Sequence, residues 1–232
     1  MGEAFALYLS GMLPQNPWVS GASRCDYVLA VSMLEKQRIL ENINPKKIPV
    51  VVTGLQEDYS IVYGEFIEHG FREKYPDIGD KIIAFSVPQM AEHNEVSWDV
   101  HKLNMRDICK EINNCYGKVI LSLHPKSKRE DYEYLENEGF GYISDIKLSD
   151  MMNEIDGLIC CDTSSVAEWP MLLNKEQILI DTDALMKRVY DCKSIFIPPK
   201  NEKEIQQRRK EDIKNVSKEI VKAIEYFGLI PK

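Results

Sequence analysis

The sequence predicts an α/β fold built on a parallel sheet with helices on both faces. Three observations carry that expectation. Short apolar runs recur along the chain without polar alternation, as in strands buried on both faces. Most of them are followed by a stretch of helical periodicity, the rhythm of strand–helix–strand units. The 232 residues are 44% hydrophobic and 28% charged, enough apolar material for a sizeable core.

The elements follow in order. DYVLAVS (26–32) reads as a strand, and MLEKQRILENI (33–43) as a helix stopped by Asn44-Pro45. KIPVVVTG (47–54) is a second strand. Residues 57–75 show an amphipathic pattern with Tyr59, Val62, Phe66 and Phe71 among the apolar positions. Pro76 and Gly79 mark a break, which predicts a partial N-terminal α/β segment over 1–79 and a larger domain over 80–232. In the larger domain KIIAFSV (81–87), KVILSL (118–123), GYIS (141–144), GLICC (157–161), QILID (177–181) and SIFIP (194–198) are strands. Helices are expected near 97–113, 128–138, 148–155 and 165–174. A last one spans 210–227, with Ile213, Val216, Ile220, Val221 and Ile224 on one face. The mixed charges of 201–212 read as its solvated start.

Charge and cysteine usage narrow the function. With 29 basic against 37 acidic residues the net charge is −8, which argues against a nucleic-acid or membrane-surface binder. Cys25, Cys109, Cys115, Cys160, Cys161 and Cys192 include no CxxC pair, so no zinc or redox motif is expected and the thiols read as buried and reduced. No metal or other cofactor is implied. The N-terminal stretch lacks the basic start and long apolar run of a secretion signal. Ala6 does not suit myristoylation. No apolar run nears the ~20 residues of a membrane span. A cytoplasmic location is the expectation.

In open parallel sheets ligands bind beyond the carboxyl ends of the strands. The residues directly after four strands are polar: Pro88–Asn94, His124–Lys128, Asp162–Ser165 and Asp181–Asp183. The Asp162-Thr163-Ser164-Ser165 turn can either cap the next helix or hold a phosphate on hydroxyls and helix-start N–H groups. Glu168 could accept hydrogen bonds from ribose or serve as a first-turn acid. His124, Lys126 and Lys128 offer donors to a pyrophosphate, or are a solvated loop. Glu92 beside His93 could do acid–base work, or lie in a polar loop. Their joint placement on successive strand ends points to one composite site.

These segments resemble a known family. AEHN with Trp98 (91–98), SLHPK (122–126) and DTSSVAEW (162–169) resemble bacterial GT-B enzymes of surface-carbohydrate synthesis. The resemblance is to the superfamily joining UDP-N-acetylglucosamine 2-epimerases with capsular-polysaccharide glycosyltransferases. His93, the His124-Pro125 pair and Asp162 to Glu168 occupy the places of the epimerase histidine loop, His-Pro pair and Asp-Ser-Gly-Gly turn. Asn94 replaces an arginine, Ser164 and Ser165 replace paired glycines, and Trp169 replaces a second glutamate. Those departures favour the transferase branch.

The resemblance covers about residues 80–200 and implies a Rossmann-like, GT-B C-terminal half. It implies a nucleotide-sugar of UDP or CMP/CDP type bound by His124, Pro125, Lys126, Thr163, Ser164, Ser165 and Glu168. Glu92 and His93 would be the catalytic pair, and a glycan the acceptor. An epimerase-like enzyme and a non-catalytic nucleotide-sugar-binding subunit are the alternatives. Two clear strands before Pro76 are few for an acceptor domain, so an N-terminal partner chain or a homo-oligomer is expected to complete the cleft, with little turnover by this chain alone.

Overall fold

The computed structural model describes residues 56–182 continuously and, outside them, 28–30, 36, 40, 50–52, 185 and 196–197. The chain divides into two compact units, Met1–Gly64 with Asn201–Lys232, and Glu65–Lys200. In the first unit, strand β1 (Val28–Ala30) pairs in parallel with β2 (Val50–Val52). Lys36 and Leu40 are helical within the expected 33–43 helix, and helix α1 (Gln56–Tyr63) follows β2. The predicted helix over 210–227 lies outside the described residues.

The 57–75 pattern is not one helix. Helix α1 stops at Tyr63, and a four-residue helix α2 (Phe71–Lys74) starts only after Gly70, whose φ of 64° a side chain would resist. Between them Phe66 and Ile67 are exposed. The start of α2 has no local side-chain cap; instead the Glu154 carboxylate accepts from the N–H groups of His69 at 2.6 Å and Phe71 at 2.8 Å.

The second unit holds a six-stranded sheet in the order β5-β4-β3-β6-β7-β8. Its strands are β3 (Ile83–Ser86), β4 (Val119–Ser122), β5 (Gly141–Ser144), β6 (Gly157–Cys161), β7 (Glu176–Ile180) and β8 (Phe196–Ile197). The five strands from β3 to β7 are parallel, as expected, while β8 runs antiparallel to β7 at the edge. Chain order runs outward from β3 to β5, then returns to β6 on the other side of β3. The central β4 and β6 are buried along their whole length, which explains why VILS and GLICC carry no alternation.

Helix α3 (Trp98–Tyr116) is the main cover. It buries His101, Asn104, Met105, Ile108, Cys109 and Ile112, a stripe at three- and four-residue spacing. Ser97 caps it by accepting from the Val100 N–H at 3.3 Å. Met105, Ile108, Cys109 and Ile112 join Ile83, Phe85, Val119, Leu121 and Ile159 in one core. Three expected helices are shorter than predicted, among them 148–155, which is helical only over Leu148–Met151. The 128–138 helix is a 3-10 turn (Arg129–Asp131) followed by α4 (Glu133–Asn137). The 165–174 helix shrinks to α6 (Trp169–Leu172), preceded by turns over 165–168; α5 (Leu148–Met151) precedes it in the chain. Pro170 falls in the first turn of α6 and suits that start. Cys109, Cys160 and Cys161 are buried free thiols, whereas Cys115 is exposed.

Gly141 tests the strand packing. A Cβ there would stand 2.3 Å from the Val119 carbonyl oxygen, so the backbone of β4 or β5 would have to move. Gly141→Ala is expected to cost about 1–3 kcal/mol, read as a lower urea midpoint of the full chain.

Candidate functional site

The reversal of winding at β3 makes the site. Connections from β3 and β6 leave in opposite directions, which opens a crevice at their carboxyl ends. There the chain forms a cleft of about 660 Å³, within the usual size of a small-molecule site. Across the sheet it is lined by Lys147, Leu148 and Ser149 after β5, and by His124 and Pro125 after β4. Gln89, His93 and Glu95 line it after β3, Thr163, Ser164, Ser165 and Trp169 after β6, and Thr182 after β7.

Several sequence-predicted residues therefore meet: His93, His124, Pro125, Thr163, Ser164 and Ser165 share the cleft. Glu92, Lys126 and Glu168 are not among its lining residues. Lys147 and Ser149 were missed, although the rule that found the other strand ends points to them: they follow β5, a strand already read in the sequence.

Glu92 ties two loops together. Its Oε1 accepts from the Ser127 hydroxyl at 2.8 Å and the Tyr132 hydroxyl at 2.6 Å, and Ser127 Oγ accepts from Gln89 Nε2 at 3.1 Å. The loop carrying His93 is thereby joined to the turn carrying His124. Burial alone would raise the Glu92 carboxyl, but the bonds from Tyr132 and Ser127 hold it below its ordinary value. The same burial, with the bond to Glu92, pushes the Tyr132 phenol up.

His124 opens a turn closed by Ser127 N–H donating to His124 O at 2.8 Å, with Pro125 at the position that favours it. The Lys126 N–H donates to His124 Nδ1 at 3.2 Å. A neutral imidazole accepting at Nδ1 carries its proton on Nε2. Partial burial, then the charges of Lys126 and His93, lower the His124 value, so near pH 7 the ring is a neutral donor rather than a cation.

The DTSS turn is not a helix cap. Ser164 N–H donates to Cys161 O at 3.0 Å, Ala167 N–H donates to Ser164 O at 3.1 Å, and regular helix begins only at Trp169. Asp162 accepts from the Thr182 N–H at 3.1 Å and the Thr182 hydroxyl at 2.7 Å. Since the Thr182 proton is engaged there, Thr163 donates in the 2.9 Å contact between the two threonine hydroxyls. This clamp fixes the ends of β6 and β7. The Ser164 and Ser165 hydroxyls have no partner among the described residues and face the cleft. Glu168, expected one turn into a helix, sits at the N-cap position of α6 without a side-chain cap bond. Burial pushes the Cys161 thiol up to about 12, which leaves it protonated. Among the described residues, no group of three or more His, Cys, Asp or Glu is placed to hold a metal, and no helix is long and apolar enough to cross a membrane.

An α/β protein with a small-molecule-sized cleft at a topological switch point is the class that fold and site define. No protein-family model matches the chain, and no curated protein matches its sequence. Solved structures do match. The UDP-GlcNAc 2-epimerase of Methanocaldococcus jannaschii, in complex with UDP-GlcNAc and UDP, aligns at TM-score 0.60 and 16% identity, over 90% of this chain and 63% of its own. The S. aureus MnaA–UDP structure aligns at TM-score 0.53 and 15% identity, over 93% of this chain and 63% of its own. A structure of the wall teichoic acid polymerase TagF covers 94% of this chain and 60% of its own at TM-score 0.47 and 18% identity. The first two likenesses show the fold alone, a Rossmann-like α/β fold with a parallel sheet, as expected from the sequence. The chain spans a little under two thirds of the M. jannaschii epimerase and MnaA chains, 63% in both cases.

One buried group near the site, His101, is expected to make the fold acid-sensitive. His101 on α3 is fully buried between the edges of Trp98 and Tyr132, both ring centroids 5.7 Å away, and neither of its nitrogens has a hydrogen-bond partner among the described residues. Burial lowers its value below 6.5; the Glu92 charge pulls the other way, and the Lys102 charge adds a smaller lowering. Such a histidine takes up a proton on unfolding, so its stabilising effect is lost as pH falls through the unfolded-state value of 6.5. His101→Phe is expected to raise the melting temperature. It should also flatten its fall between about pH 7.5 and pH 5.5. An unchanged pH dependence of melting would show that another group dominates it.

Proposed function

We propose that the cleft is the donor site of a GT-B glycosyltransferase-like protein of bacterial surface-polysaccharide synthesis, working in the cytoplasm on a nucleotide-activated sugar. Residues 1–79 would be its reduced N-terminal segment and 80–232 the nucleotide-sugar-binding domain. The observation that carries this reading is the convergence of five strand ends on one cleft at the switch point between β3 and β6. The M. jannaschii epimerase and MnaA structures of like fold hold UDP or its sugar conjugate, which supports a uridine or related pyrimidine nucleotide.

The chemistry is that of a diphosphate leaving group held without a required metal. Ser164 and Ser165 supply hydroxyls, His124 supplies Nε2–H, and Lys147 supplies the cationic side chain that lines the cleft. Lys126 adds positive charge nearby and its N–H sets the His124 tautomer. Glu92 acts through position, because its Oε1 is already engaged by Ser127 and Tyr132. His93 is the cleft-facing imidazole available for proton transfer, which also suits an epimerase-like reaction. Appearance of an epimerised sugar nucleotide without any acceptor would select that second reading. A glycan acceptor would approach over a second wall of the cleft, supplied by a partner chain or a second copy. The chain alone should therefore bind a nucleotide sugar yet turn over little of it.

Binding is tested by thermal shift of the full chain with UDP-, CMP-, CDP- and GDP-conjugates. A ligand at 100 times its dissociation constant should stabilise the fold by about 2.7 kcal/mol. Replacing Ser164 and Ser165 together by alanine should leave melting of the free chain unchanged, since neither hydroxyl is bonded within the described residues. The same variant should lose affinity by roughly 1.5–3 kcal/mol per lost bond to the charged phosphate. Normal binding by the double variant would remove the diphosphate from this turn.

A further inference from the structure

Glu95 belongs to a turn whose sequence choice is unusual. His93 N–H donates to Gln89 O at 3.0 Å, forming a single helical turn after β3. Asn94 ends it at φ 59°, a left-handed conformation that asparagine tolerates better than other non-glycine residues. Asn94 N–H donates to Ala91 O at 3.0 Å and Glu95 N–H donates to Met90 O at 2.9 Å. That pair of bonds is a Schellman closure, in which the residue at Glu95's place commonly packs an apolar side chain back onto the turn. Here the residue is a glutamate, and it lines the cleft instead.

Among the described residues lining the cleft, Glu95 is the only carboxylate. It lines the same cleft as Cys161 at the end of β6 and Ser164 and Ser165 just after it. Its carboxylate makes no hydrogen bond among the described residues. An unengaged negative charge at this place repels a diphosphate. It becomes favourable only when the rest of the ligand offers it donors, and paired hydroxyls of a sugar or polyol do so, since a carboxylate is a pure acceptor.

We propose that Glu95 reads the hydroxyls of the group attached to the diphosphate, so that the cleft prefers the sugar- or polyol-bearing nucleotide over the free nucleoside diphosphate. This rests on the donor-site reading given above. Glu95 is then a specificity residue, separate from the loop-tying Glu92 and from Glu168, which does not line the cleft.

The test is calorimetric titration of the full chain and of Glu95→Gln, in EDTA, with two ligand pairs: UDP-GlcNAc against UDP, and CDP-glycerol against CDP. Glu95→Gln keeps the backbone bond to Met90 and should melt like the unaltered chain. The unaltered chain should bind the conjugated member of at least one pair more tightly. In Glu95→Gln that preference should fall about tenfold or more, with the conjugate bound more weakly and the free diphosphate bound equally or more tightly. Equal weakening of both members, or an unchanged preference, would overturn the role of Glu95 while leaving the donor site intact. A chain that binds a pair without preference would overturn it too. Binding of none of the four ligands by the unaltered chain would overturn the donor-site reading itself, and this inference with it.

Discussion

The parallel pairing of β3 on both of its edges is the constraint on which the site depends. Ile83, Ala84 and Phe85 register with Gly157, Leu158 and Ile159 on one side, and Ala84, Phe85 and Ser86 with Ile120, Leu121 and Ser122 on the other. A strand with neighbours on both sides, whose chain continues in opposite directions from those neighbours, necessarily leaves a gap above its carboxyl end. Ser86 to Met90 exit into that gap, and Cys161 to Val166 exit beside it. The sheet is held by burial of apolar side chains under α3, and the cleft is the place where that burial stops.

Polar residues around the cleft divide into those that hold the loops and those left for a ligand. Glu92 with Ser127 and Tyr132, and Asp162 with Thr182, are engaged within the protein. Two hydroxyls on Glu92 Oε1 hold the loop in place, while its Oε2 is buried without a hydrogen-bond partner among the described residues, so the tie carries a desolvation cost. His93, Glu95, His124, Lys147, Ser164 and Ser165 are the groups exposed to whatever enters. Positive and negative side chains both line the cleft. That mixture suits a ligand with an anionic portion and a hydroxylated one better than a simple anion.

Phosphate recognition here would rest on side chains more than on a helix dipole. The four-residue α6 starts at Trp169, four residues past Ser165. So short a helix lacks the aligned peptide dipoles that favour an anion at a long helix start. Hydroxyls, an imidazole N–H and one ammonium group take that part, and these can be tested one residue at a time.

Much of this was legible in the amino-acid order. Unalternating runs such as VILS and GLICC fixed the parallel sheet, because a strand with both faces buried has no polar face to show. The strand-end rule found His93, His124 and Thr163 to Ser165, because in a parallel sheet those positions share one edge whatever the details of packing. The split of the 57–75 pattern, the shortened 165–174 helix and the antiparallel β8 were not legible, since helical periodicity says nothing of where tertiary contacts interrupt it. Nor could local sequence separate Glu92 from Glu95. Both lie in one polar loop three residues apart, and only the fold, by bringing Ser127 and Tyr132 from the next strand–helix unit against the first, leaves the second facing the cleft.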